Sequence, residues 1–134
     1  MANYDLIIVG SGPAGMTASI YAARANLHVL LLDKLAPGGQ IVNTNEIQNY
    51  TGMGTINGAE LAIQMFTHTQ ELNVEFDYRT VKEIREENGL KVVSCVEDDM
   101  EYTAKAVAEA RGEDIDRFCE QTVENTLRLF GISL

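Results

Sequence analysis

Residues 10–15 read Gly10-Ser11-Gly12-Pro13-Ala14-Gly15 and stand between an apolar run and a helix-forming run. The apolar run, Tyr4–Val9, is continuous rather than alternating, which suits a strand buried on both faces. Pro13 to Arg24 is rich in alanine and helix formers, and Pro13 suits a first helical turn. Three glycines at this spacing are weak evidence alone. Between a buried strand and a helix they confine the segment to a βαβ unit that binds a dinucleotide. Gly10 permits the tight turn, Gly12 lets the backbone approach a pyrophosphate, and Gly15 lets helix and strand pack closely. Ser11, Pro13 and Ala14 complete the phosphate-facing segment, with the positive end of the helix behind them. A second strand, His28–Leu32, closes at Asp33, where a carboxylate accepts hydrogen bonds from a ribose diol. These features bind an adenosine diphosphate moiety and leave FAD and NAD both open. Asp33 would repel a 2′-phosphate, which disfavours NADP, and the lone Lys34 beside it carries little weight.

Pro37, Gly38 and Gly39 then break the chain into a loop. A helix is predicted from about Ala59 to Leu72, and Val74–Phe76 reads as a short third strand. From Val81 the pattern changes to three short strands, Val81–Arg85, Leu90–Val96 and Glu101–Thr103. Turns at Asn88-Gly89 and Asp98-Asp99 join them into an antiparallel meander. Ala104–Ala110 favours helix by intrinsic propensity, Gly112 can end that helix, and Asp114 can cap the next. Ile115, Phe118, Cys119, Thr122, Val123, Leu127 and Phe130 fall on one face of an amphipathic helix. The expected class is α/β. It comprises a partial Rossmann-like domain with a parallel sheet, a three-stranded antiparallel meander and a C-terminal helical tail.

The 134 residues suit one domain, with 20 acidic against 10 basic side chains. A net charge of −10 repels phosphate backbones, so nucleic-acid binding is not expected. No stretch is long and apolar enough for a membrane span, and no secretory signal is present; a cytoplasmic location is the default. Cys95 and Cys119 form neither a Cys-x-x-Cys pair nor a zinc-ligand spacing, and read as separate reduced thiols.

Residues 4–107 resemble the N-terminal FAD domain of low-molecular-weight thioredoxin reductases. The resemblance rests on separated motifs in the right order: Ile8 to Gly15, Tyr21-Ala22-Ala23-Arg24-Ala25, Gly38-Gly39-Gln40-Ile41, Asn43 to Gly52, and Glu101-Tyr102-Thr103. It implies FAD as the cofactor. It also implies that Asp33, Gly39 and Gln40 lie along the ribityl and pyrophosphate part, that Thr44 and Asn49 face the flavin, and that a backbone contact to adenine falls near Thr80-Val81. The residues agree: glycines allow close approach, and Gln40 and Asn49 offer donors and acceptors. Asn49 could instead stabilise its own turn before Gly52. Asn49-Tyr50-Thr51 also matches a glycosylation acceptor, which is discounted because nothing here suggests secretion.

Complete relatives continue past the position of Val107 with further strand residues and a turn that closes the FAD site. An NADPH domain with a Cys-x-x-Cys pair follows. Neither a second glycine fingerprint nor that dithiol occurs here, so no catalytic or metal residue is assigned. The chain alone is expected to lack reductase activity, with self-association or a companion chain needed for any redox role. The tail from Val107 through Gly131 resembles the C-terminal helices of TatD-type metal-dependent deoxyribonucleases, but no position matches that family's metal ligands. A join of two pieces is therefore expected near Ala106–Ala108, giving an incomplete FAD domain over 1–107 and a tail of different origin over 108–134. The competing expectation is a non-functional fusion or frame-disrupted product. Were the strand at the join lost, the first strand would keep an unpaired edge open to aggregation.

Overall fold

The computed structural model describes residues 3–97 and 100–109. In chain order these form β1 (Asn3–Val9), α1 (Pro13–Arg24), β2 (Val29–Asp33), a 3-10 turn (Gly39–Asn43) and α2 (Gly58–Glu71). Four strands follow: β3 (Glu75–Tyr78), β4 (Val81–Glu87), β5 (Leu90–Cys95) and β6 (Glu101–Glu109). The strands hydrogen-bond in the order β3-β2-β1-β6-β5-β4. β3, β2, β1 and β6 are parallel, while β6, β5 and β4 form the antiparallel meander. The α/β class with a parallel sheet and a meander is thus present.

β3 and β4 occupy opposite ends of that order, yet only Arg79 and Thr80 separate them in sequence. In a flat sheet the intervening spacings of ~4.8 Å would hold them ~24 Å apart, whereas the connection reaches at most ~11 Å. The sheet therefore folds over, and the meander covers one face of the parallel strands. The two cores show it. Tyr4, Ile7, Leu30 and Leu32 bury against Val93, Cys95, Tyr102 and Ala104 of the meander. Ile8, Val29 and Leu31 bury on the opposite face with Met16 and Ala22 of α1, Met65 and Phe66 of α2 packing beside them. β2 explains its own sequence: successive residues alternate between two buried layers, so all of Val29–Leu32 must be apolar.

Ends of elements follow from local chemistry. Asn57 caps α2, its Oδ1 accepting from Ala59 N at 2.9 Å and Glu60 N at 3.4 Å. The helix therefore begins at Gly58, one residue earlier than the expected Ala59. Val74 N–H is taken by Thr69 O as α2 closes, so β3 is displaced toward the C-terminus relative to the expected Val74–Phe76. At the β4–β5 hairpin Asn88 and Gly89 both have positive φ, 51° and 79°, as a two-residue I′ turn requires.

The helical expectation for Ala104–Ala110 is overturned through Glu109. β6 runs unbroken to that residue, and from Thr103 onward it pairs with β1, from Asn3↔Thr103 to Val9↔Glu109. Alanine's helix propensity amounts to a few tenths of a kcal/mol per residue over ordinary residues, less than the cost of leaving buried ladder groups of β1 unpaired. Alternation also fits a strand here, since Val107 packs toward the meander core and Ala108 toward the helix core. The edge feared for β1 is thus filled. The Asp98-Asp99 turn, Cys119 and the tail helices lie outside the described residues.

A polar cluster ties the starts of three strands together. His28 Nε2 lies 2.8 Å from Glu75 Oε1, and Tyr4 OH donates to Glu75 Oε2 at 2.7 Å. The hydrogen bond to Glu75 raises the pKa of His28, and bonds from His28 and Tyr4 lower that of Glu75. The His28 contribution is fully present below the unfolded histidine pKa of about 6.5 and is lost as pH rises through the raised folded value. The Glu75 contribution is present above the unfolded value of about 4.3 and is lost as pH falls through the lowered folded one. Thermal unfolding followed by circular dichroism should show the midpoint declining above about pH 6.5. His28→Gln should flatten that decline, and an unchanged slope in the variant would assign it elsewhere.

Candidate functional site

The C-terminal ends of β1 and β2 carry the glycine segment and Asp33 side by side, because Gly10 N donates to Leu32 O at 2.7 Å. Gly10 takes a φ of 105°, reserved in practice for glycine. The chain then turns into α1 with Gly12 as N-cap and Pro13 at the helix start. No side chain caps this end. Its first-turn N–H groups therefore remain available to an anion, the opposite of α2, whose N-terminus Asn57 occupies.

Two of the glycines do different physical work. A Cβ on Gly15 would stand 1.9 Å from Gly10 O, so this residue is glycine because helix and strand touch there. A Cβ on Gly12 would meet nothing within 4 Å and its backbone is extended (φ −71°, ψ 179°), so neither packing nor conformation requires glycine. What Gly12 keeps clear is space above an uncapped helix end. The residues present fit a pyrophosphate on that ground.

Asp33 is already engaged. Its Oδ2 accepts from Ser11 N and Ser11 Oγ, both at 2.7 Å, and Oδ1 accepts from Leu35 N at 3.1 Å. Ser11 is fully buried, so its hydroxyl fixes the carboxylate against the glycine turn. The sequence placed Ser11 in the phosphate segment but did not show that it also orients the Asp33 carboxylate.

The Gly38-Gly39 loop lies on this turn. Gly38 N donates to Ser11 O at 2.8 Å, and a Cβ on Gly39 would come 3.2 Å from Gly12 Cα. Gly38 (φ 126°) has Val42 and Ala62 at its flank. The 3-10 turn that follows is seated on the start of α2: Gly58 N donates to Thr44 O, and a Cβ on Gly58 would strike Ile41 O at 1.8 Å. Gly38 and Gly58 were not expected as site-shaping residues; Asn57-Gly58 ahead of a helix was the available signal for the second. Gln40, Thr44 and Asn49 are exposed. The turn after Asn49 is closed by Met53 N donating to Tyr50 O at 3.1 Å. Val81 is half-buried at the start of β4, in register with Cys95. Gly10, Ser11, Gly12, Pro13, Ala14, Gly15, Asp33 and Gly39 thus gather around one turn.

Cys95 is a buried free thiol whose pKa is pushed up first by burial, then by the Glu97 charge. A thiol in that setting is a packing group rather than a nucleophile.

The match to known proteins now follows from this geometry. The pyridine nucleotide-disulphide oxidoreductase family matches over residues 4–127. The chain belongs to that family. It is 44% identical over 109 residues to thioredoxin reductase of Bacillus subtilis, covering 81% of this chain and 34% of that protein. The Listeria monocytogenes enzyme is 39% identical over the same shares. Among solved structures, thioredoxin reductase from Streptococcus pyogenes superposes with a TM-score of 0.76 at 46% identity, over 81% of this chain and 35% of that one. The Lactococcus lactis enzyme in its FR conformation gives 0.75 at 42% identity, over 79% and 34%. The chain therefore spans about a third of the length of the thioredoxin reductases it matches, and corresponds to their N-terminal part. Among the described residues no helix is long and apolar enough to cross a membrane.

Proposed function

We propose that this chain is the FAD-binding part of a thioredoxin-reductase-like flavoprotein. The observation that carries the reading is the open space at Gly12 above the uncapped start of α1, with Asp33 held beside it by Ser11. The α1 N-terminus and the backbone of Gly10–Gly15 would hold the pyrophosphate, and Asp33 the ribose. Gly39 and Gln40 would lie along the ribityl chain, with Thr44 and Asn49 toward the flavin and the Thr80–Val81 backbone against adenine. FAD, when bound, supplies two-electron redox chemistry; the chain's own residues bind and orient it.

Reduction of a disulfide by NADPH also needs a nicotinamide site and a dithiol. This stretch contributes neither a second glycine fingerprint nor a Cys-x-x-Cys pair. By itself it supplies one station of three, and no turnover is expected from this stretch without the other two. A reducing, cytoplasmic setting belongs to the same reading.

Purified chain should be yellow, or turn yellow on titration with FAD. FAD should raise its melting temperature well beyond any effect of equimolar NAD, since a ligand that binds only the native state stabilises it. A colourless protein that FAD leaves unstabilised would favour the non-functional fusion product. The segment from residue 108 is proposed as a tail of different origin, on its likeness to the TatD-type C-terminal helices. The genomic sequence around the Val107 codon tests that part: an uninterrupted reductase frame there overturns it.

A further inference from the structure

The Arg79-Thr80 connection, which carries the chain from the parallel layer to the meander, is held from three directions. Arg79 N donates to Asp33 O at 2.9 Å, which puts the connection against the end of β2. Thr80 N donates to the Glu97 carboxylate at 2.9 and 3.2 Å, while Thr80 O accepts from Val96 N at 2.9 Å. Both backbone groups of Thr80 are thereby fixed to the segment just after β5. The Arg79 side chain binds Asp77 Oδ2 at 3.1 Å and Tyr102 OH at 3.2 Å, and Tyr102 OH donates to Asp77 Oδ2 at 2.6 Å. Tyr102 is buried in the core between the layers, so this triangle anchors the connection to β6 as well.

In an open parallel sheet a ligand sits beyond the carboxyl ends of the strands. Asp33 marks the ribose position at the end of β2, and the next segment outward at that rim is Arg79–Val81. We propose that Glu97 and Arg79 are positioning residues for the adenosine half of the bound dinucleotide. They hold the Arg79–Val81 backbone at a fixed distance from Asp33, so that base and ribose enter a preformed edge. This rests on the FAD reading above and adds to it two residues that the glycine fingerprint does not contain.

A short connection with few apolar contacts would otherwise sample several conformations, and ordering it would be charged to binding. Glu97 is the better probe because its side chain is only half-buried and packs in neither core. Glu97→Ala removes the acceptor of Thr80 N–H, whereas Glu97→Gln keeps one carbonyl oxygen to replace it. Kd for FAD would be measured on the full chain by quenching of flavin fluorescence, and Kd for ADP by displacement of FAD. FMN, which lacks adenosine, serves as the control ligand, and apo melting temperature is read alongside. Glu97→Ala should weaken FAD and ADP about tenfold, with Glu97→Gln within about threefold of the original. The FMN signal should be unchanged within error, and the apo melting temperature should fall only by the few degrees that one lost hydrogen bond accounts for. Arg79→Met should weaken the same two ligands. Original affinity for FAD and ADP in Glu97→Ala overturns the proposal, as does a parallel loss of FMN binding. An unaltered chain that binds neither FAD nor ADP overturns the parent reading and this one together.

Discussion

Gly15→Val is expected to leave little folded protein. The new Cβ would lie 1.9 Å from Gly10 O, 3.1 Å from the carbon of the same carbonyl and 3.4 Å from the Ile8 side chain. The first two are backbone atoms, and no rotamer change relieves them. Either α1 lifts from β1 or the turn at Gly10 unwinds. Lifting α1 exposes Met16 and Ala22, which pack on the helix side of the sheet. Overpacking a core costs about 1–3 kcal/mol and occasionally more; a clash with rigid backbone belongs at the upper end. That is a large share of the ~5–15 kcal/mol that holds a domain together. Urea unfolding followed by far-ultraviolet circular dichroism should show a midpoint shifted far down, or no cooperative transition. A midpoint close to that of the unaltered chain would mean the helix–strand contact is looser than the geometry shows.

Gly12→Val should do the reverse. The extended backbone at this position accepts any residue, and the added atoms enter open space, so the urea midpoint should change by less than about 0.5 kcal/mol equivalent. FAD binding should fall by at least about a hundredfold, because two methyl groups would occupy the space at the helix start into which a pyrophosphate must come. The pair separates two reasons for a glycine that look alike in the sequence. Gly12→Val that still binds FAD normally would remove the phosphate cradle from this turn. A Gly12→Val chain that unfolds would show that the site is packed rather than open.

Much of this site was legible because its constraints are local. The glycine spacing, Pro13 at the helix start and an acidic residue ending the second strand each follow from short-range geometry, and all three meet at one turn. Asn88-Gly89 announced its hairpin for the same reason. What escaped was set by partners distant in sequence. Ala104–Glu109 has the composition of a helix and becomes a strand because β1, about a hundred residues earlier, has ladder groups to satisfy. Ser11 looked like a spacer between glycines; its hydroxyl is directed at Asp33 only once β1 and β2 lie side by side. Glu97 and Arg79 carry no motif, and their role emerges only after the sheet folds over and brings the ends of β3 and β5 together.

β6 is hydrogen-bonded to β5 over Glu101–Ala104 and to β1 from Thr103 to Glu109. One strand thus closes both layers, and it is the last to leave the ribosome among the described elements. Until it arrives, β1 and β2 can pair and α1 can dock, but Tyr4 and Ile7 lack the covering that Tyr102 and Ala104 provide. Contacts closed over such a separation form slowly, since the loop entropy is lost before the contacts repay it. A growing chain will therefore pass through a long-lived stage with one apolar face bare, in which chaperone capture competes with completion. Synthesis speed across the codons for residues 88–109, rather than any property of the cofactor turn, is where the yield of native protein should be most sensitive.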